Sequence, residues 1–116
     1  MSDRFNFRTP IYGADGKFKN FVYWNAETGF PAVTCREGDV FKSPEQCTGL
    51  RDKNGRLIYE GDLLKDDKPQ IGKVFFRTSS ASFVINWRMR DGSFETDDCF
   101  GYGVVVGNIH EHMEEI

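Results

Sequence analysis

Along most of the chain hydrophobic and polar residues alternate, and the three-to-four spacing of an amphipathic helix is nearly absent. The clearest run is Ser82 to Arg90. Phe83, Ile85, Trp87 and Met89 fall on one side of it, Val84, Asn86, Arg88 and Arg90 on the other. Successive strand side chains point to opposite faces, so this run predicts a half-buried strand with the Phe83 set toward a core. Similar patterns predict strands over Phe5–Tyr12, Phe18–Trp24, Ala32–Cys35, Leu63–Lys65, Ile71–Arg77, Ser93–Thr96 and Tyr102–His110. Val104, Val105 and Val106 are apolar on both sides, which predicts a strand covered on both faces, by the N-terminal region or by another subunit.

Turn residues separate these runs. Asp15-Gly16, Asn54-Gly55 and Asp91-Gly92 each predict a two-residue type I′ hairpin turn, which needs positive φ at both central positions. Thr28-Gly29-Phe30-Pro31 predicts a further turn, and Ser43-Pro44-Glu45-Gln46 a single helical turn with Ser43 as its cap. Glu37-Gly38-Asp39 and Glu60-Gly61-Asp62 repeat one short pattern, read as one local solution used twice: glycine allows the turn and aspartate bonds nearby backbone. The fold expected is mostly β with little helix. A small N-terminal β-hairpin annex over 1–46 precedes an SH3-like β-barrel over 47–116, whose short strands follow one another with tight turns.

The run from Cys47 to Asp62 reads C-T-G-L-R-D-K-N-G-R-L-I-Y-E-G-D, and Gly107-Asn108-Ile109 follows near the C-terminus. Together they resemble the signature of the YopX family of small phage and prophage proteins. The resemblance implies the same architecture, a small N-terminal region before an SH3-like barrel. Cys47 stands where an aromatic often precedes T-G-L, Thr9-Pro10-Ile11-Tyr12 replaces the more usual A-W-D, and His110 occupies a site where Tyr is common. The signature residues Thr48, Gly49, Leu50, Asp52, Asn54, Gly55, Ile58, Tyr59, Glu60, Gly61, Asp62, Gly107, Asn108 and Ile109 read as structural. Glycines permit turns, Asp52 and Asp62 bond turn backbone, and Leu50, Ile58 and Tyr59 anchor the hairpin to the barrel. Such a motif specifies a fold rather than a reaction.

Charge and chemistry narrow the function classes. A net charge of −3 disfavours general attraction to nucleic acid or anionic lipid. A local basic face of Lys73, Arg77, Arg88 and Arg90 is the alternative, a nucleic-acid-binding barrel. No apolar run approaches the length that crosses a bilayer, and the N-terminus lacks a secretion signal, so the expected location is the bacterial cytoplasm. Cys35, Cys47 and Cys99 are widely spaced and read as buried thiols. His110 and His112, with Glu111, Glu114 and Glu115, read as a solvated acidic tail rather than a metal site. Asp66-Asp67 and Asp97-Asp98 read as turns. No cofactor motif and no catalytic constellation is present in the sequence.

The chain is rich in rings, with 11 Phe, 4 Tyr and 2 Trp. Phe21, Tyr23, Trp24 and Phe30 are the candidate interface, because aromatic residues are enriched at the centres of protein interfaces. The functional expectation is a non-enzymatic phage- or prophage-derived accessory protein that binds a host or phage protein and self-associates.

Overall fold

Two antiparallel sheets and a short 3-10 turn at Asp3–Phe5 account for the regular structure in residues 3–67, 70–97 and 103–111, the residues described by the computed structural model. The strands are β1 Asn6–Tyr12, β2 Phe18–Asn25, β3 Val40–Phe41, β4 Glu45–Arg51, β5 Leu57–Tyr59, β6 Asp62–Lys65, β7 Ile71–Arg77, β8 Ser82–Arg88, β9 Phe94–Asp97 and β10 Val104–Asn108. The first sheet runs β2-β1-β4-β5, with β3 also paired to β1, and the second runs β10-β6-β7-β8-β9. The expected mostly-β fold with little helix is found, one sheet curling into a half-barrel. The first sheet takes strands from both sides of position 46, since Phe7 pairs with Gln46 and Cys47 with Tyr59.

The alternation of Ser82–Arg90 is realised. Ile85 and Trp87 pack with Ile58, Leu64, Val74 and Val105, and Phe83 and Met89 lie against them. Full burial of each such side chain contributes roughly 1.5–3 kcal/mol relative to exposure. Gly72 makes this packing possible. A Cβ there would lie 2.4 Å from Ile85 and 2.8 Å from Trp87. The opposite side of the same strands is not simply solvated, because Leu63 and Val84 are fully buried too.

All three Asp-Gly and Asn-Gly turns differ from the expected type. Gly16, Gly55 and Gly92 bond the carbonyls of Gly13, Asp52 and Met89, and Gly13, Asp52 and Met89 bond the carbonyls of Lys17, Arg56 and Ser93. Only the glycines have positive φ, at 78°, 85° and 87°; among the described residues Ala81 alone has positive φ without being glycine. These are three-residue loops, a type I turn closed by a glycine bulge. Asp15 and Asp91 each accept a backbone N–H two residues on, a bond that type I geometry provides.

The repeated Glu-Gly-Asp pattern is one turn built twice. Gly38 and Gly61 have φ of 90° and 87°, and Asp39 and Asp62 each accept the backbone N–H three residues earlier, from Arg36 and Tyr59, at 2.8 Å.

Three further expectations are corrected. Ala32–Cys35 forms no strand; the segment that reaches the open part of β1 is Val40–Phe41, opposite Ile11 and Tyr12. Ser43–Gln46 forms no helical turn, because Glu45 and Gln46 are claimed by β1 as strand partners of Arg8 and Phe7. Val105 is buried but Val106 is 45% exposed, so within the described residues β10 is covered on one face only. Tyr102, expected in that strand, lies outside the described residues, as do Asp98 and Cys99.

Candidate functional site

Arg8 sits in the middle of β1 and is 1% exposed. A buried guanidinium requires partners, and it has three. Its Nε donates to Glu45 Oε1 at 2.8 Å, and one terminal nitrogen lies 2.7 Å from Asp62 Oδ1. The other donates to the Glu60 carbonyl at 3.1 Å. The ring of Phe21 lies 4.1 Å from the guanidinium carbon and that of Tyr59 5.0 Å. Glu45 arrives from β4 of the same sheet, whereas Asp62 opens β6 of the other. The guanidinium is therefore a tie between the sheets.

Electrostatics follow the burial. Burial works against the Arg8 charge, but Asp62 and Glu45 outweigh it and hold the guanidinium more firmly protonated than usual. Burial pushes the Asp62 carboxyl up, against the pull of Arg8 and of the Tyr59 N–H. Burial pushes the Tyr59 hydroxyl up to about 12. Gly61 makes room for the carboxylate: a Cβ there would lie 3.1 Å from Glu45 Oε2.

His110 completes the cluster. Its Nε2 lies 2.6 Å from Glu45 Oε2 and its Nδ1 2.5 Å from the Tyr12 hydroxyl. Phe18 stacks on the imidazole, with Tyr12 and Phe21 edge-on. The expectation of a solvated tail is thus overturned at His110, which closes one end of an aromatic box. Asn108 positions it by accepting the N–H groups of His110 and Glu111, at 2.9 and 3.1 Å, while Ile109 N–H bonds the Gly61 carbonyl. His112, Glu114 and Glu115 lie outside the described residues. A cleft of about 450 Å³ opens beside this cluster, lined by Tyr12, Lys42, Glu45, Glu60, Lys73 and His110 among others. Its charges are mixed, and among the described residues no group of three His, Cys, Asp or Glu side chains could hold a metal.

The signature hairpin supports this cluster from below. Asp52 Oδ1 accepts the N–H groups of Asn54 and Arg56, and Oδ2 reaches the Val105 N–H at 2.9 Å. Burial opposes ionisation of Asp52, but these three N–H donors win and hold its carboxyl below the usual range. Thr48 Oγ1 donates to the Ile58 carbonyl and accepts from Leu50 N–H. Gly49, with φ of 82°, stands in the bulge between Cys47 and Arg51, and a Cβ there would meet Arg4 at 2.4 Å. Ile58 and Tyr59 are buried, while Leu50 is 46% exposed. Glu60 Oε1 accepts from Gln46 N–H, and Gly107 falls at the irregularity where β10 meets β6.

The expected interface residues do not form one patch. Phe21 and Tyr23 lie opposite Pro10 and Arg8, on the Arg8 face of the first sheet, and Trp24 lies opposite Phe7 on the other face. There Trp24 stacks on Phe7, Phe30 packs on Trp24, and Phe41 packs on Phe30. The register places Lys73, Arg77 and Arg88 on one face of the β7–β8 pair, with Lys73, opposite Asn86, and Arg88, opposite Ile71, as diagonal neighbours. Lys73 lines the cleft, Arg77 bonds Ser80, and Arg88 faces Ile71 at the other end of β7. Six residue steps along β7 separate Ile71 from Arg77, about 20 Å. Arg90 is exposed in the turn after β8. Arg8, Tyr12, Glu45 and His110 were not expected as a cluster. The one local signal was an arginine inside the apolar run Phe7-Arg8-Thr9-Pro10-Ile11.

No curated protein matches this chain. The family model described as YopX protein matches residues 19–115, the greater part of the chain, including the whole signature hairpin and the Gly107-Asn108-Ile109 element. The chain belongs to the YopX family.

Proposed function

We propose that this protein is a non-enzymatic accessory protein of phage or prophage origin that acts in the bacterial cytoplasm by binding another protein, and that it self-associates. The observation that carries this reading is the exposed aromatic cluster on the outer face of the first sheet. Phe30 and Phe41 are 41% and 42% exposed with ring centroids 5.6 Å apart, and Val40 beside them is 47% exposed. Large rings held half-exposed against a sheet suit a protein interface, where they bury apolar area with little loss of conformational entropy. The acid–imidazole pair beside the cleft also fits this reading. Both nitrogens of His110 and both oxygens of Glu45 are engaged inside the chain, which suits positioning rather than proton transfer to a substrate.

The test is affinity capture of host proteins with the wild-type chain and with a Phe30→Ser/Phe41→Ser variant, with and without nuclease. A protein captured by the wild type in the presence of nuclease, and lost with the variant, is the expected outcome. Capture that is unchanged by the variant overturns the assignment of this cluster. Capture that vanishes with nuclease favours the alternative, a nucleic-acid-binding barrel using Lys73, Arg77, Arg88 and Arg90, for which the net charge of −3 offers less support.

A further inference from the structure

The structure assigns the outer edge of β2 as a strand-pairing site for a second copy of this chain, so that two first sheets join antiparallel into one. This inference rests on the self-association proposed above and names the surface that performs it. β2 is eight residues long, and among the described residues its only strand neighbour is β1, with a single bridge from Asn25 to Gly29 beyond its end. The direction of its backbone groups is fixed by two bonds. Ala26 donates to the Phe5 carbonyl on the β1 side, and the Asn25 carbonyl accepts from Gly29 on the far side. Direction alternates along an antiparallel ladder, so Phe21 and Tyr23, like Asn25, turn their N–H and C=O groups away from β1. The Asn20 amide reaches the Phe21 carbonyl at 3.4 Å, a long contact; no other described residue bonds this part of the edge.

An open edge of this kind is a template for another strand, and folded proteins ordinarily blunt it with proline, inward charge or a cover. β2 contains no proline, and its one charge, Lys19, is tied to Asp39 at 2.9 Å. The edge is also self-complementary. With Val22 opposite Val22 of the second copy, Phe21 faces Tyr23 across the two-fold axis, and every outward N–H and C=O of these two residues finds a partner. The same register sets Phe21 against the Tyr23 ring on one face and Trp24 against Asn20 on the other, with no like charges opposed. Tyr23 is 55% exposed, its ring meeting that of Tyr59 edge-on and that of Phe21 at a tilt. A self-complementary surface is what a two-fold dimer uses on both subunits.

The experiment is light scattering of the full chain across micromolar concentrations, with circular dichroism and thermal melting as fold controls. The wild type is expected to be a dimer. Tyr23→Pro removes an outward N–H while leaving the β1 ladder intact, and should halve the apparent mass with the fold retained. Tyr23→Glu places an exposed charge on the edge and should do the same, and it decides the matter if the proline variant unfolds. Phe30→Lys, on the other face of the sheet, should leave the mass unchanged. A monomeric wild type overturns both the pairing and the self-association. A dimeric wild type whose folded Tyr23 variants remain dimeric overturns the pairing alone.

Discussion

Arg8 and Asp62 lie 2.7 Å apart at the junction of two sheets, with both side chains 2% exposed. Arg8 is also the partner of Glu45, so one guanidinium offsets two buried carboxylates. Removing one member of such a set leaves charge stranded in the interior, which costs more than the intact set contributes. Arg8→Met should therefore destabilise the fold by about 3–5 kcal/mol at neutral pH. The cost should shrink in acid, where the Asp62 carboxyl, raised by burial, takes up a proton. Urea denaturation at the two pH values checks both statements, and equal costs at both would refute the charge argument.

Asp52 gives the opposite pH signature to Asp62. Its carboxyl is held below the usual range, so its contribution to stability is present above the ordinary carboxylate value and lost as pH falls through the depressed one. Asp52→Ala should cost about 1–3 kcal/mol near neutrality, since it leaves the Val105, Arg56 and Asn54 N–H groups without their acceptor. In Asp52→Asn the acid limb of the stability curve should flatten. Asp62, raised by burial, contributes most below the ordinary carboxylate value, and that contribution is lost as pH rises through its own.

Tyr59 sets an alkaline limit. With its hydroxyl pushed up to about 12 by burial, the folded chain holds this proton more tightly than the unfolded one. The corresponding stability is complete below the ordinary tyrosine value of about 10 and is lost as pH rises toward the folded one. Tyrosinate absorbance should lose a late-titrating component in Tyr59→Phe, and the alkaline decline in melting temperature should be shallower in that variant.

The cysteines should differ in reactivity. Cys47 is fully buried and burial pushes its thiol up, whereas Cys35 is exposed. Thiolate is the reacting form, so brief iodoacetamide treatment of the native chain should alkylate Cys35 and spare Cys47. Peptide mass spectrometry reads the difference, which should vanish in denaturant.

Gly72 tests the core directly. Its replacement by Ala drives a methyl into Ile85 and Trp87, and the overpacking should cost about 1–3 kcal/mol. Thermal melting is the measurement; a neutral effect would mean that the Ile85 and Trp87 side chains on the neighbouring strand can shift aside.

Alternation and turn residues by themselves determined the mostly-β fold, the strands β6, β7 and β9 to within one residue and β8 and β10 to within two, and the inward set Phe83, Ile85, Trp87 and Met89. Those features are local: period-two patterning reports which side of a strand meets a core, and glycine marks where φ turns positive. Tertiary structure decided the rest. Glu45 became a strand residue because β1 offered it both a ladder position and the Arg8 side chain, overriding the local helix signal around Ser43 and Pro44. The three glycine turns settled as bulged type I loops because only glycine among their central residues takes positive φ. The Arg8, Glu45, Asp62, His110 cluster draws on four separate segments, and His110 reaches Glu45 across 65 residues. Periodicity can say that such a side chain points inward. Only the packing of one sheet against the other says what it meets there.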